Sequence, residues 1–117
     1  MPLQVADSNG APPSLTKASE SEYLIFYSSI VNGRLWCPDC IAVEELVKDT
    51  FSSDGSPSAL IIYVGDRSTW KSPSNTLRGE PWRVQSVPTI MKVKNGKEVK
   101  RLVDSEITSG LTNFIKS

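Results

Sequence analysis

Two short stretches of this chain are apolar without interruption: Tyr23-Leu24-Ile25-Phe26-Tyr27 and Ala59-Leu60-Ile61-Ile62-Tyr63-Val64. Such runs predict strands covered on both faces, as happens where helices pack on both sides of a sheet. Between them the period changes. Ile41-Ala42-Val43-Glu44-Glu45-Leu46-Val47 has helical spacing, and Pro38 supplies the fixed φ favoured at a first helical position. A helix is therefore expected from Pro38 to about Phe51, with Asp54-Gly55-Ser56-Pro57 breaking the chain after it. Farther on, Thr89-Ile90-Met91-Lys92-Val93-Lys94 and Glu98-Val99-Lys100-Arg101-Leu102-Val103 alternate apolar and polar positions. Asn95-Gly96 lies between them, a two-residue hairpin signal. Ile107, Leu111, Phe114 and Ile115 mark the apolar face of a last helix, with Thr108 or Ser109 as its candidate cap.

The remaining segments are less regular. Residues 1–13 are rich in Pro, Gly, Ser and Asn and are expected to be flexible or loosely attached, with a candidate short strand at Leu3-Gln4-Val5. Pro12-Pro13 introduces a candidate weak helix over Ser14-Leu15-Thr16-Lys17-Ala18. Ser28 to Leu35 reads as a loop, and Gly65 to Gln85 as an irregular polar crossover interrupted by Trp70, Pro73, Gly79, Pro81 and Trp82. The order is strand, helix, strand, crossover, hairpin, helix. It predicts an α/β sandwich with a mixed central sheet. At 117 residues the chain reads as one domain, residues 1–117, long enough to bury a real core.

Composition narrows the chemistry. Lys and Arg number 13 against 13 Asp and Glu, without a block of like charge, so nucleic acid and anionic membrane surfaces are poor partners. No apolar run approaches the ~20 residues of a membrane span. Met1 to Ser14 has neither the basic start nor the apolar core of a secretory signal, so a reducing cytoplasmic compartment is expected. The chain has no histidine, which removes Ser-His and Cys-His nucleophile systems and most zinc-enzyme arrangements.

Both cysteines fall in Trp36-Cys37-Pro38-Asp39-Cys40, at the predicted helix start. Two thiols separated by two residues can open and close a small-ring disulfide. Cys37 is expected at the exposed end of the helix and Cys40 one turn inside. The free N–H groups of a helix terminus favour a thiolate on Cys37, and the carboxylate of Asp39 works against it. If Asp39 faces solvent it would instead relay a proton to Cys40; the residues leave both roles open. A structural zinc site needs four ligands, so two cysteines without histidine would require a dimer or carboxylates. A permanent disulfide over so short a loop adds little stability. Two inert buried thiols fit poorly with Pro38 and Trp36 beside them. Redox cycling is the reading that fits.

Val87-Pro88-Thr89 leaves two readings open. Proline is permitted at the first position of a strand, so this is either an ordinary strand start or a cis-proline loop facing the cysteines. Trp70 and the turn at Pro73 are likewise either selectivity elements near the site or, with Trp82, cover for the sheet edge.

A helix-start CxxC, then Val-Pro-Thr and an Asn-Gly hairpin, resembles the thioredoxin superfamily across nearly the whole chain after residue 14. WCPDC, Tyr63-Val64-Gly65-Asp66 and Trp70-Lys71-Ser72-Pro73-Ser74-Asn75 resemble one branch of it, the cytosolic fourteen-kilodalton thioredoxin-related family. The resemblance implies a three-layer sandwich, a mixed central sheet flanked by helices. It implies Cys37 as nucleophile and Cys40 as resolving thiol, with Trp36, Pro38 and Asp39 in support. Val87, a cis Pro88 and Trp70 would meet the substrate. No bound cofactor is implied: electrons would come from NADPH through thioredoxin reductase to a monomer that reduces small disulfides such as cystine, selected protein disulfides, or nitrosothiols. Ordinary thioredoxins have Cys-Gly-Pro-Cys and a buried acid in the preceding strand, whereas Tyr23 to Ser28 holds no acid. Asp39 is then the nearest candidate for proton transfer at Cys40.

Two other functions compete. A glutathione-dependent, glutaredoxin-like reductase shares the proline after the first cysteine, but its later glycine pair has no counterpart in Ile90-Met91-Lys92-Val93. A redox-responsive protein-binding module would use the same disulfide only to switch affinity.

Overall fold

The structure is a computed structural model and describes residues 3–5, 21–52, 57–79, 82–94 and 97–116. Its centre is the pair of apolar runs. β2 (Tyr23–Tyr27) is buried at every position, and β5 (Ala59–Tyr63) pairs with it in parallel, from Tyr23 opposite Ala59 to Tyr27 opposite Tyr63. β6 (Thr89–Lys94) runs antiparallel on the other edge of β2, and β7 (Lys97–Val103) pairs antiparallel with β6. β1 (Leu3–Val5) adds a parallel strand outside β5, completing the order β1-β5-β2-β6-β7. Part of the segment expected to be loose, 1–13, is thus tied to the sheet.

α1 (Pro38–Ser52) connects β2 to β5 and buries Cys40, Val43, Val47 and Phe51, a stripe of three- and four-residue steps. α3 (Glu106–Lys116) buries Ile107, Leu111 and Phe114. The Tyr23 ring meets Phe51 at 5.3 Å and Phe114 at 5.7 Å between centroids, so both helices cover the same face of the sheet. Alternation along β2 puts Tyr23, Ile25 and Tyr27 on that face and Leu24 and Phe26 on the other, where Phe26 meets Trp82 at 6.3 Å. Each large apolar side chain buried this way contributes about 1.5–3 kcal/mol. The result is a thioredoxin-like α/β fold.

Three local expectations need correction. The loop expected over Ser28 to Leu35 is a small hairpin, β3 (Ile30–Val31) with β4 (Arg34–Leu35). Its turn residues Asn32 and Gly33 both have positive φ, 55° and 85°, as a two-residue hairpin turn requires. The crossover from Gly65 holds α2 (Arg67–Lys71), capped by Asp66, and a 3₁₀ turn (Thr76–Arg78), capped by Asn75. These pieces are too short to show a helical period. The last helix starts at Glu106, which places Thr108 and Ser109 inside its first turn and not at the cap. The weak helix at Ser14 to Ala18 and the Asn95-Gly96 turn lie outside the described residues.

Candidate active site

The site sits where β2 ends and α1 begins. Main-chain N–H groups of Cys40 and Ile41 both donate to the Cys37 carbonyl at 3.1 Å, so Cys37 stands at the mouth of the helix. Its side chain is 8% exposed, against 0% for Cys40 one turn deeper. Pro38 and Asp39 are exposed at the helix start. Both thiols are free in this structure.

Ser28, buried at the end of β2, holds the two cysteines together. Its Oγ accepts the Cys37 main-chain N–H at 3.1 Å, and its own N–H donates to Cys40 Sγ at 3.4 Å. No motif or period marks Ser28 in the sequence. The available signal was a small hydroxyl directly after a fully apolar strand. Burial pushes the Cys40 thiol up to about 12; the Ser28 N–H opposes this, and the neighbouring Cys37 adds to it.

The Val87–Pro88 peptide bond is cis, and both residues are buried. The Cys37 thiol donates to the Val87 carbonyl at 3.7 Å. Residues separated by fifty positions thereby form one surface around the outer sulfur.

Trp36 flanks that surface on the other side. Its indole Nε1 donates to the Gly65 carbonyl at 2.9 Å, and Ser29 Oγ accepts the Gly65 N–H at 2.7 Å. The start of the crossover is thus fastened beside the cysteines. Arg67 lies over the Trp36 ring at 4.9 Å from its centroid. Val31, Trp36, Asp66, Arg67, Ser68 and Lys71 line a groove of about 550 Å³ there.

Trp70 occupies a different place from the one expected of a surface selectivity element. It is 4% exposed, its ring covered by Arg78 at 3.9 Å, while Arg78 Nε donates to the Trp70 carbonyl at 2.6 Å. Trp70 thus anchors α2, while Trp36 and Arg67 line the groove beside the cysteines. Asp39 lines a separate groove with Ala42, Val43, Asp104, Ser105 and Thr108. After burial itself, Ser28 and Cys37 are the neighbours that act on the Cys40 thiol. On the helix-covered face of β2 the buried phenol of Tyr27 has no hydrogen-bond partner among the described residues, and burial raises it well above its ordinary range. Among the described residues no group of three His, Cys, Asp or Glu is placed to hold a metal ion. None of the described helices is long and apolar enough to cross a membrane.

A helix-start cysteine pair against a cis-proline loop, on this sheet, defines a dithiol protein of the thioredoxin class. Comparison with solved structures agrees on the fold. The reduced thioredoxin pre-protein of Schistosoma mansoni superposes with a TM-score of 0.65 at 20% identity, covering 99% of this chain and 97% of that one. A Nicotiana alata thioredoxin gives 0.62 at 17% identity, covering 98% and 91%. The chain belongs to the thioredoxin domain-containing protein 17-like family, whose thioredoxin-domain model matches residues 4–115. The Arabidopsis thaliana thioredoxin-like protein Clot is 31% identical over 100 residues, 78% of this chain and 71% of that protein. Human thioredoxin domain-containing protein 17 is 35% identical over 81 residues, 68% of this chain and 62% of its own length. The Clot protein of Oryza sativa is 33% identical over 64% of this chain, which spans 58% of it.

Proposed function

We propose that the protein is a thiol–disulfide oxidoreductase that reduces small-molecule disulfides and selected protein disulfides, and S-nitrosothiols as a further class. The carrying observation is the placement of Cys37 Sγ, 3.7 Å from the Val87 carbonyl and one helical turn outside a fully buried Cys40. The Cys37 thiolate attacks one sulfur of the substrate disulfide. A Cys37–substrate disulfide forms, the substrate S–S bond breaks, and the released thiolate takes a proton from solvent. Cys40 then gives up its proton and attacks Cys37 Sγ, breaking the mixed disulfide and freeing the second substrate thiol. Two electrons have passed to the substrate, and Cys37 and Cys40 are left as a disulfide. NADPH, through thioredoxin reductase, returns them to the dithiol. The setting is the cytoplasm and the acting form a monomer. Before attack, the Val87 main chain offers an extended substrate a hydrogen-bonding edge.

The test is NADPH consumption with thioredoxin reductase and cystine, then a peptide disulfide, beside a parallel assay with glutathione and glutathione reductase. Turnover with thioredoxin reductase is expected. Turnover with glutathione alone would make the protein a glutaredoxin-like reductase, and none in either system would leave a redox-responsive binding module. The roles of the two thiols are tested by trapping. Cys40→Ser is expected to accumulate a mixed disulfide on Cys37, and Cys37→Ser to accumulate none; the reverse pattern would exchange the roles.

A further inference from the structure

The groove beside Trp36 has a chemistry that disulfide exchange itself does not use. Its floor is apolar, from Val31, which is 40% exposed, and the Trp36 ring. Its wall is cationic. Arg67 and Lys71 are both exposed, and among the described residues neither has a carboxylate partner. Asp66, the groove's own acid, is occupied: its Oδ1 accepts the Thr69 N–H at 2.8 Å and the Ser68 hydroxyl at 3.2 Å. Those bonds also hold its carboxyl below the ordinary range, so it stays ionised as a cap.

Arg67 is set for recognition. Its Cζ lies 4.9 Å from the Trp36 ring centroid, a cation–π contact, and no carboxylate among the described residues takes up its N–H groups, which match a carboxylate in a two-point geometry. The Trp36 ring is fixed by its bond to the Gly65 carbonyl, so the arginine over it has a rigid base. The groove that Asp39 lines has the opposite character, with Asp104 as its second acid. A carboxylate near the cysteines is therefore drawn to one flank and repelled from the other. The whole chain carries no net charge, so any preference must come from these local groups.

We propose that the Val31–Trp36–Arg67–Lys71 groove is a carboxylate subsite that selects peptide disulfides bearing an acidic side chain next to the reacting cysteine. Trp36 directly precedes Cys37, so the groove starts one residue, about 3.8 Å of main chain, from the nucleophile. A residue adjacent to the substrate cysteine spans that gap. Arg67 and Lys71 receive its carboxylate, and the aliphatic stem of Glu lies on Val31 and Trp36. This rests on the disulfide-reductase reading above.

The experiment uses three peptide disulfides that differ only in Glu, Gln or Lys beside the cysteine. kcat and KM are measured for the wild type, for Lys71→Glu and for the Arg67→Gln/Lys71→Gln double variant, each checked for folding by circular dichroism. For the wild type a KM for the Glu peptide lower than for the Lys peptide by about 5- to 20-fold is expected, with similar kcat. The preference should shrink at 0.5 M salt, where charges are screened over ~4 Å. It should fall within twofold in the double variant and turn toward the Lys peptide in Lys71→Glu. Equal KM values for the three peptides with the wild type, or a preference that survives in the double variant, would overturn the subsite. Failure to turn over even the Gln peptide would instead remove the reductase reading on which it rests.

Discussion

Ser28 carries more of the site than its size suggests, because one small residue serves both thiols. Its hydroxyl takes the Cys37 N–H and its own N–H reaches Cys40 Sγ. Ser28→Ala leaves a buried donor at Cys37 unsatisfied, and a loss of about 1–3 kcal/mol in urea denaturation of the reduced protein is expected. No loss would mean that another acceptor takes the Cys37 N–H. Cys40 makes a pH prediction whose sign follows from burial. Its folded thiol is pushed up to about 12, against about 8.5 for a thiol in an unfolded chain. Between these values the unfolded chain has released a proton that the folded one keeps, so stability falls as pH rises. The reduced protein should lose on the order of 1–2 kcal/mol between pH 8 and 10, a loss largely abolished in Cys40→Ala. Buried tyrosines act in the same sense only at higher pH, since Tyr23, Tyr27 and Tyr63 are raised from 10.0. Denaturation midpoints that do not change over that window would show that Cys40 ionises freely in the folded state.

At the level of elements, the crossover after β5 is organised by caps and not by length. α2 has five residues, too few for a helix to hold by propensity. Asn75 compensates from within. Its Nδ2 donates to the Val64 and Thr69 carbonyls at 3.2 and 3.0 Å, and its Oδ1 accepts the Leu77 N–H at 2.9 Å. The end of β5, α2 and the 3₁₀ turn thus share one buried side chain. Asn75→Ala is expected to cost about 2–3 kcal/mol by thermal or urea unfolding, because the buried Val64 carbonyl and Leu77 N–H and the part-buried Thr69 carbonyl lose a partner. Stability within 0.5 kcal/mol of wild type would mean that the segment is held by Trp70 and Arg78 alone. The β3–β4 hairpin illustrates the opposite case, a strong local signal. Asn32-Gly33 is the same dipeptide that signals a turn in the sequence between β6 and β7, yet with two-residue strands the alternation beside it is too short to notice.

Across the whole molecule, protection should follow depth in the sheet. β2 lies between β5 and β6 with both faces covered, while β1 pairs on one side only and β3–β4 stands apart from the main sheet. Hydrogen exchange is expected to be slowest in β2 and β5 and faster by orders of magnitude in β1 and β3–β4. Comparable rates in β1 and β2 would refute that ordering. The sequence by itself determined the two central strands, the helix that starts at Pro38, the β6–β7 pair and the cysteines as a redox pair. Each of these is written in contiguous periodicity or in a motif of five residues, so nearest-neighbour physics suffices. The cis state of Val87–Pro88 was reachable only through resemblance, because proline at a strand start reads the same in either isomer. Tertiary structure alone decided the rest. It decided that Ser28 would bridge both thiols, that Trp70 would be buried under Arg78, and that Arg67 would lie on Trp36 thirty-one positions earlier. Those contacts join residues from eight to thirty-one positions apart, on different elements, and no local period encodes the distance between elements until the fold has brought them together.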